Sequence, residues 1–183
     1  MTKKLIIQRT RHFFAVEGEG EQSFIKWIQE LSDQNELHVH LDCEVLKGGG
    51  YKTMLKGAIR CQKRKERQRA KSSVLLVDAD RAERDDGWLL SKLRQEASNH
   101  KFTLCVQNPN LEGLLLRLMP GKEGLQPDRA NVQAQLRSAW PNYEKPAAAR
   151  TLAWKFTLAD LLRVAKADSE LNNLLTIVGL KND

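Results

Sequence analysis

The feature that most constrains the fold is a short, continuously apolar run, Val74–Val77, that ends in Asp78-Ala79-Asp80. A run of this length without alternation predicts a β-strand covered on both faces, as in a parallel sheet between helices. Residues two apart on a strand share a face and lie about 6.6 Å apart, so both aspartates should project from the carboxyl end of the sheet. Such close carboxylates repel each other unless a cation lies beside them. The alternative is a turn that happens to contain two aspartates.

A second apolar run, His12–Val16, stops at three carboxylates that are separated by glycines: Glu17, Glu19 and Glu21. A strand that ends in glycine before a helical pattern predicts the crossing at which parallel sheets bind ligands. Loops of this kind usually bind phosphate through backbone N–H groups, and carboxylates would repel it. A divalent metal would resolve the conflict. An acidic, solvated turn with a glutamate at the helix N-terminus is the alternative, and Glu19 is expected to face solvent.

The rest of the chain alternates strand and helix patterns up to residue 120 and is helical afterwards. Glu36–Leu46 alternates apolar and polar side chains, which predicts a strand at or near an edge of the sheet, and Phe102–Val106 predicts a further buried strand. On the polar face of the strand Glu36–Leu46, we expect His38 and His40 to be exposed and not to be metal ligands. We expect an α/β domain over residues 1–120 with a mostly parallel, four-stranded sheet flanked by helices, and a helical C-terminal extension over 121–183 packed on it. Helices are predicted over 22–33, 53–71, 87–99, 111–118, 132–139, 158–167 and 170–178.

Positive charge is concentrated in one segment of the chain. Lys52–Lys71 contains nine basic residues and one acid, whereas the whole chain has a formal net charge of +7. The basic residues predicted to contact a polyanion are Lys52, Lys56, Arg60, Lys63, Arg64, Lys65, Arg67 and Arg69. A patch of this kind attracts nucleic acid, DNA or RNA. The alternative is a solvated helix face.

Composition excludes several other classes of protein. No run approaches the roughly 18 apolar residues that a membrane span needs, and the first residues are too short an apolar segment for a signal peptide. We therefore expect a cytoplasmic protein without membrane contact. Cys43, Cys61 and Cys105 are odd in number and far apart, which argues against a disulfide framework and a zinc knuckle.

Two pairs of motifs resemble known families. Glu17-Gly18-x-x-Glu21 after one strand and Asp78-x-Asp80 after another resemble the Toprim domain of topoisomerases, bacterial primases and OLD-type nucleases. Asn108-Pro109-x-x-Glu112 and Tyr143-x-Lys145 resemble the small RloB-type Toprim proteins associated with bacterial anti-phage defence. The chain departs from the second pattern in having Leu111 where that family usually has an aromatic residue, and Gly113 where it has a bulkier one.

The resemblance implies Mg²⁺ or Mn²⁺ held by Glu17, Asp78 and Asp80, with Glu21 as an additional ligand. The catalytic residues implied by the resemblance also include Glu112 and Lys145. Arg81 or Lys145 would stabilise the charge of the transition state; the alternative for each is a surface cation. Hard oxygen ligands suit these metals, which activate water and neutralise charge in phosphodiester cleavage.

The resemblance further implies a metal-dependent nuclease acting on DNA or RNA, including tRNA, as the effector of a defence system with an ABC-type or OLD-type ATPase partner. The alternative is a non-catalytic Toprim-like module that binds nucleic acid or a partner protein.

Overall fold

The computed structural model describes residues 8–64, 67–79 and 87–181. Its sheet has four strands, all parallel, in the order β2-β1-β3-β4. The strands are β1 (Thr10–Val16), β2 (Val39–Val45), β3 (Ser72–Asp78) and β4 (Phe102–Gln107). The predicted α/β fold with a four-stranded sheet flanked by helices is confirmed. Lys65, Asp80 and Arg81 lie outside the described residues.

Eight helices are present in the described ranges. They are α1 (Glu19–Gln34), α2 (Tyr51–Gln62), α3 (Leu90–Asn99), α4 (Leu111–Leu118), α5 (Val132–Ala139), α6 (Ala149–Lys155), α7 (Leu158–Ala165) and α8 (Ser169–Val178). Thr157 caps the start of α7 in a capping box with Asp160, and Gly179 ends α8 in the left-handed conformation. Among the described residues, no helix is long and apolar enough to cross a membrane.

The sheet separates two hydrophobic clusters. On one face, α2 and α3 pack against side chains that include Phe13 and Leu75. On the other face, α1, α4 and the helices after residue 120 pack against side chains that include Phe14 and Leu76. Both central strands are thus buried on both faces, which explains why their sequences are apolar without alternation.

The strand β2 lies at the edge of the sheet, as its alternating pattern predicts. Its apolar side chains pack towards α1, and Leu41 is buried there. The side chain of Gln29 on α1 also contacts the β2 backbone. Its Oε1 accepts a hydrogen bond from the Leu41 N–H at 2.7 Å, and its Nε2 donates to the Val39 carbonyl at 3.3 Å.

The largest departure from the predicted helices concerns α2. This helix ends at Gln62 and does not continue to Lys71. Beyond Gln62 the sequence has no apolar stripe to pack on the sheet, so the helix has no support from tertiary packing. Arg67 instead folds back onto the polar side of β2 and is 7% exposed.

Three smaller expectations also differ. The apolar pattern of the predicted helix 87–99 places Leu89 on the inward face, but Leu89 precedes α3 and is 64% exposed. The leucine stripe of the predicted helix 111–118 places Glu112 on a separate face, but Glu112 is buried together with every other residue of α4. The helix α6 was not predicted.

Candidate functional site at the carboxyl end of the sheet

The strand order places a crevice between the carboxyl ends of β1 and β3. From these two neighbouring strands the chain leaves in opposite directions, since α1 covers one face of the sheet and α2 and α3 cover the other. Open parallel sheets bind ligands at such a switch point. Glu17 directly follows β1, and Asp78 is the last residue of β3. The two apolar runs that end in acids therefore converge at one place, as the sequence predicts.

Glu17 is held against both neighbouring strands. Its side chain is buried, and its Oε2 lies 3.5 Å from the Asp78 backbone nitrogen, which donates to it. Its carbonyl accepts a hydrogen bond from the Gly48 N–H at 3.2 Å. Gly48 has a φ of 75°, which is the left-handed region that favours glycine. The glycine loop after β2 thus forms one wall beside Glu17.

Glu21 lies in the first turn of α1, where it completes a capping box. Its Oε2 accepts a hydrogen bond from the Gly18 N–H at 2.9 Å. The residue is 7% exposed. Burial raises the pKa of Glu21 and the negative charge of Glu112 raises it further, against the lowering effect of the backbone hydrogen bonds and of Lys145. Glu21 therefore holds a proton more readily than an ordinary, solvated glutamate does.

Glu112 brings a further carboxylate into the site from α4. The Asn110 side chain caps this helix by accepting a hydrogen bond from the Gly113 N–H at 3.1 Å. The Glu112 Oε1 accepts from the Tyr143 hydroxyl at 3.0 Å and lies 2.7 Å from the Lys145 Nζ. Glu112 is 3% exposed, whereas the Lys145 side chain is 57% exposed at the mouth of the site.

Lys145 is the cation that pairs with Glu112 in this acidic cluster. Burial opposes its charge, but the hydrogen bond and the charge of Glu112 outweigh that effect and raise the pKa of Lys145, with Asp78 and Glu21 adding to the rise. Burial and the carboxylate of Glu112 likewise raise the pKa of Tyr143, so this hydroxyl stays protonated as a donor. A catalytic or positioning role for Tyr143 was not predicted, and the only signal was its spacing from Lys145.

These groups line one open cleft of about 560 Å³. Its acidic and polar lining includes Glu17, Glu21, Asp78, Glu112, Tyr143 and Lys145. An acidic cleft attracts cations, and two lysines, Lys47 and Lys145, line it beside five carboxylate residues, which leaves a net negative formal charge to be balanced. The exposed Glu19 also borders the cleft.

The carboxylates fit a magnesium-type site of few protein ligands. Mg²⁺ usually takes one or two protein carboxylates and completes its shell with waters and substrate phosphates. Glu17 and Asp78 supply such hard oxygens within the same cleft. Within 8–64, 67–79 and 87–181, no three His, Cys, Asp or Glu side chains form a metal-binding group. The third predicted ligand, Asp80, falls outside these ranges.

Some of the residues predicted to contact nucleic acid are exposed, and others form ion pairs with acids of β2. Four of them lie on the exposed face of α2 or at its end: Lys52, Lys56, Arg60 and Lys63. Arg64 pairs with Glu44 at 3.3 Å, and Arg67 pairs with Asp42 at 2.9 Å and with Glu44 at 2.8 Å. Arg67 also lies over the Phe13 ring at 4.7 Å, so its position explains a role in the fold and gives no support to one in nucleic-acid binding. Arg69 is exposed.

The fold and the cleft define a parallel α/β protein with an acidic site at its switch point. A scan against protein-family models finds no match, and a search of curated proteins finds none either. Among solved structures, the chain is similar to the C-terminal region of the OLD protein of Xanthomonas campestris pv. campestris. The sequence identity is 13% and the TM-score 0.35, and the match covers 87% of this chain and 80% of that one.

Proposed function

We propose that this chain is a metal-dependent, Toprim-type nuclease that hydrolyses phosphodiester bonds in nucleic acid. The observation that carries the proposal is the convergence of Glu17, Glu21 and Asp78 in one cleft at the switch point of a parallel sheet. Burying several carboxylates together costs free energy unless a cation or proton compensates them. Such a cost is typical of a functional site.

In this proposal Glu17 and Asp78, with Asp80, hold Mg²⁺ or Mn²⁺, which when bound activates a water and neutralises charge on the phosphate. Glu21 is a proton carrier beside them, because its pKa is raised. The Lys145 ammonium stabilises negative charge that develops on the phosphate oxygens. Glu112 and Tyr143 position that ammonium through the contacts at 2.7 Å and 3.0 Å.

The test compares two glutamates of the same loop. Plasmid, single-stranded DNA and tRNA are incubated with the wild type, Glu17→Ala and Glu19→Ala, in Mg²⁺, Mn²⁺ or EDTA. We expect cleavage by the wild type and by Glu19→Ala in metal only, and a loss of about 100-fold or more in Glu17→Ala. Cleavage that persists in EDTA or in Glu17→Ala would sink the proposal.

The resemblance to RloB-type and OLD-type proteins supports a more specific role, as the effector of an anti-phage system with an ABC-type or OLD-type ATPase partner. The measurement is plaque formation on cells that carry the gene with its genomic neighbours. Protection should be lost in Glu17→Ala and kept in Glu19→Ala. Equal protection by both variants would contradict the role.

A second candidate is a non-catalytic module that binds nucleic acid or a partner protein. The observation that favours it is the ammonium of Lys145, which already neutralises part of the acidic cluster at 2.7 Å from Glu112. This candidate predicts nucleic-acid binding without cleavage of any of the three substrates, with and without the ATPase partner.

A further inference from the structure

A larger concave surface lies at the opposite end of the sheet from the acidic cleft. This groove has a volume of about 930 Å³ and lies where β1, β2 and β3 begin. Its charged lining consists of Arg9, Arg11, Arg69 and Lys71, with the His40 imidazole beside them. The described lining contains no acid, although Asp33 pairs with Arg9 at 3.2 Å. Arg69 and Lys71 belong to the basic segment Lys52–Lys71 that was predicted to attract nucleic acid, whereas Arg9, Arg11 and His40 do not.

The helix α2 connects the cleft with this groove. At its first residue, the Tyr51 hydroxyl donates to the Asp78 carbonyl at 3.0 Å, beside the cleft. At its last residue, the Gln62 Nε2 donates to the Ser73 Oγ at 2.8 Å, near the start of β3. The helix therefore runs antiparallel to β3 along the whole strand. Twelve residues of helix span about 18 Å.

Exposed cations follow the same course. Lys52, Lys56, Arg60 and Lys63 recur every three or four residues and so form one stripe on the outer face of α2. Lys63 then shares a concavity of about 360 Å³ with Lys71 and Lys101, and Lys71 also lines the groove. We name this series, from Lys52 to the groove, the basic track.

Acids do not pair with the middle part of the basic track, Lys56, Arg60 and Lys63, in the described ranges. The carboxylates on the adjoining side of β2, Asp42 and Glu44, are bound by Arg67 and Arg64. A concave surface lined by one sign of charge focuses the field on a ligand of the opposite sign.

We infer that the groove is a docking site for the sugar-phosphate backbone of nucleic acid, about 20 Å from the cleft and joined to it by the basic track. The inference rests on the proposed function for its class of ligand. Double-stranded DNA carries one charge per about 1.7 Å of axis, so a track of this length faces many phosphates. Arginine and lysine on an open surface suit backbone contacts, which hold a nucleic acid without reading its sequence.

The experiment measures binding alone. Affinity for a 30-base-pair DNA and for RNA of the same length is measured by fluorescence anisotropy in EDTA, over about 50–200 mM salt. The background is Glu17→Ala, so that cleavage has no influence. The groove variant carries Arg69→Glu and Lys71→Glu. The matched control carries Arg150→Glu on α6 and Lys166→Glu directly after α7, two exposed cations whose reversal gives the same change in net charge.

We expect the groove variant to bind at least about tenfold more weakly at low salt, with the salt dependence reduced by about 0.9 for each phosphate that the variant no longer neutralises. The control should stay within about twofold of the background protein. Equal losses in both variants, unchanged affinity in the groove variant, or no binding by the background protein would overturn the inference. A failed cleavage assay would leave this result intact, because no step of it requires catalysis.

Discussion

The protonation of Glu21, a buried carboxyl of the site, depends on folding. Its pKa is raised in the folded protein, chiefly by burial, so over a window above its ordinary value of 4.5 the folded state binds more protons than the unfolded state. In that window the free energy of unfolding falls as pH rises.

The first prediction is that Glu21→Gln reduces this pH dependence while keeping an oxygen to accept from the Gly18 N–H. Urea unfolding in EDTA from pH 4 upwards measures the effect. The exposed Glu19→Gln is the control and should keep the wild-type slope. The same slope in Glu21→Gln as in the wild type would contradict the assignment.

Tyr143 and Glu112 form a buried hydrogen bond that the second prediction addresses. Tyr143→Phe removes the donor at 3.0 Å and should lower the free energy of unfolding by about 1–3 kcal/mol, because the buried carboxylate loses a partner. In a double-mutant cycle with Glu112→Gln, the two changes should not be additive. Additive effects would show that the hydroxyl and the carboxylate do not interact.

The sequence predicts the acids at the ends of β1 and β3 well, because position on a parallel strand determines where a side chain projects. It predicts the surroundings of Glu112 poorly. The partners of that carboxylate, Tyr143 and Lys145, follow it by about thirty residues, and no local period connects them.

At the scale of elements, continuous apolar runs predict the buried strands and an alternating run predicts the edge strand. Successive side chains of a strand point to opposite faces, so the apolar pattern shows whether one or both faces are buried. The end of α2 is less accessible to such reasoning. Helix propensity continues past Gln62, but packing against the sheet does not, and the side chain of Arg67 contributes more by neutralising Asp42 and Glu44.

The third prediction concerns Gly113, near the start of α4, where the backbone packs too closely to leave room for a side chain. A Cβ added at Gly113 would lie 2.6 Å from the Pro109 Cδ and 2.9 Å from the Asn108 carbonyl oxygen. Gly113→Ala should therefore cost about 1–3 kcal/mol in the free energy of unfolding, despite the higher helix propensity of alanine. Gly124→Ala is the control, because its Cβ would meet no atom within 4 Å. A stabilising Gly113→Ala would contradict the packing.

At the scale of the whole molecule, a metal bound in the cleft would stabilise the folded state by mass action. The fourth prediction is that Mg²⁺ or Mn²⁺ at 100 times its dissociation constant raises the free energy of unfolding by about 2.7 kcal/mol, and that EDTA reverses the effect. Thermal unfolding with and without metal measures it. Glu17→Ala should lose the response and Glu19→Ala should keep it, whereas a response shared by both would place the metal elsewhere.

The two hydrogen bonds between the Gln29 side chain and β2 affect how readily one copy of the protein can pair with another through this edge strand. An edge strand offers unpaired N–H and C=O groups that can template the addition of a foreign strand. The Gln29 amide occupies one donor and one acceptor of β2, at Leu41 and Val39, much as a neighbouring strand would. A side chain of α1 thus satisfies two backbone groups of the edge strand, so these groups are not available to pair with a strand of another copy.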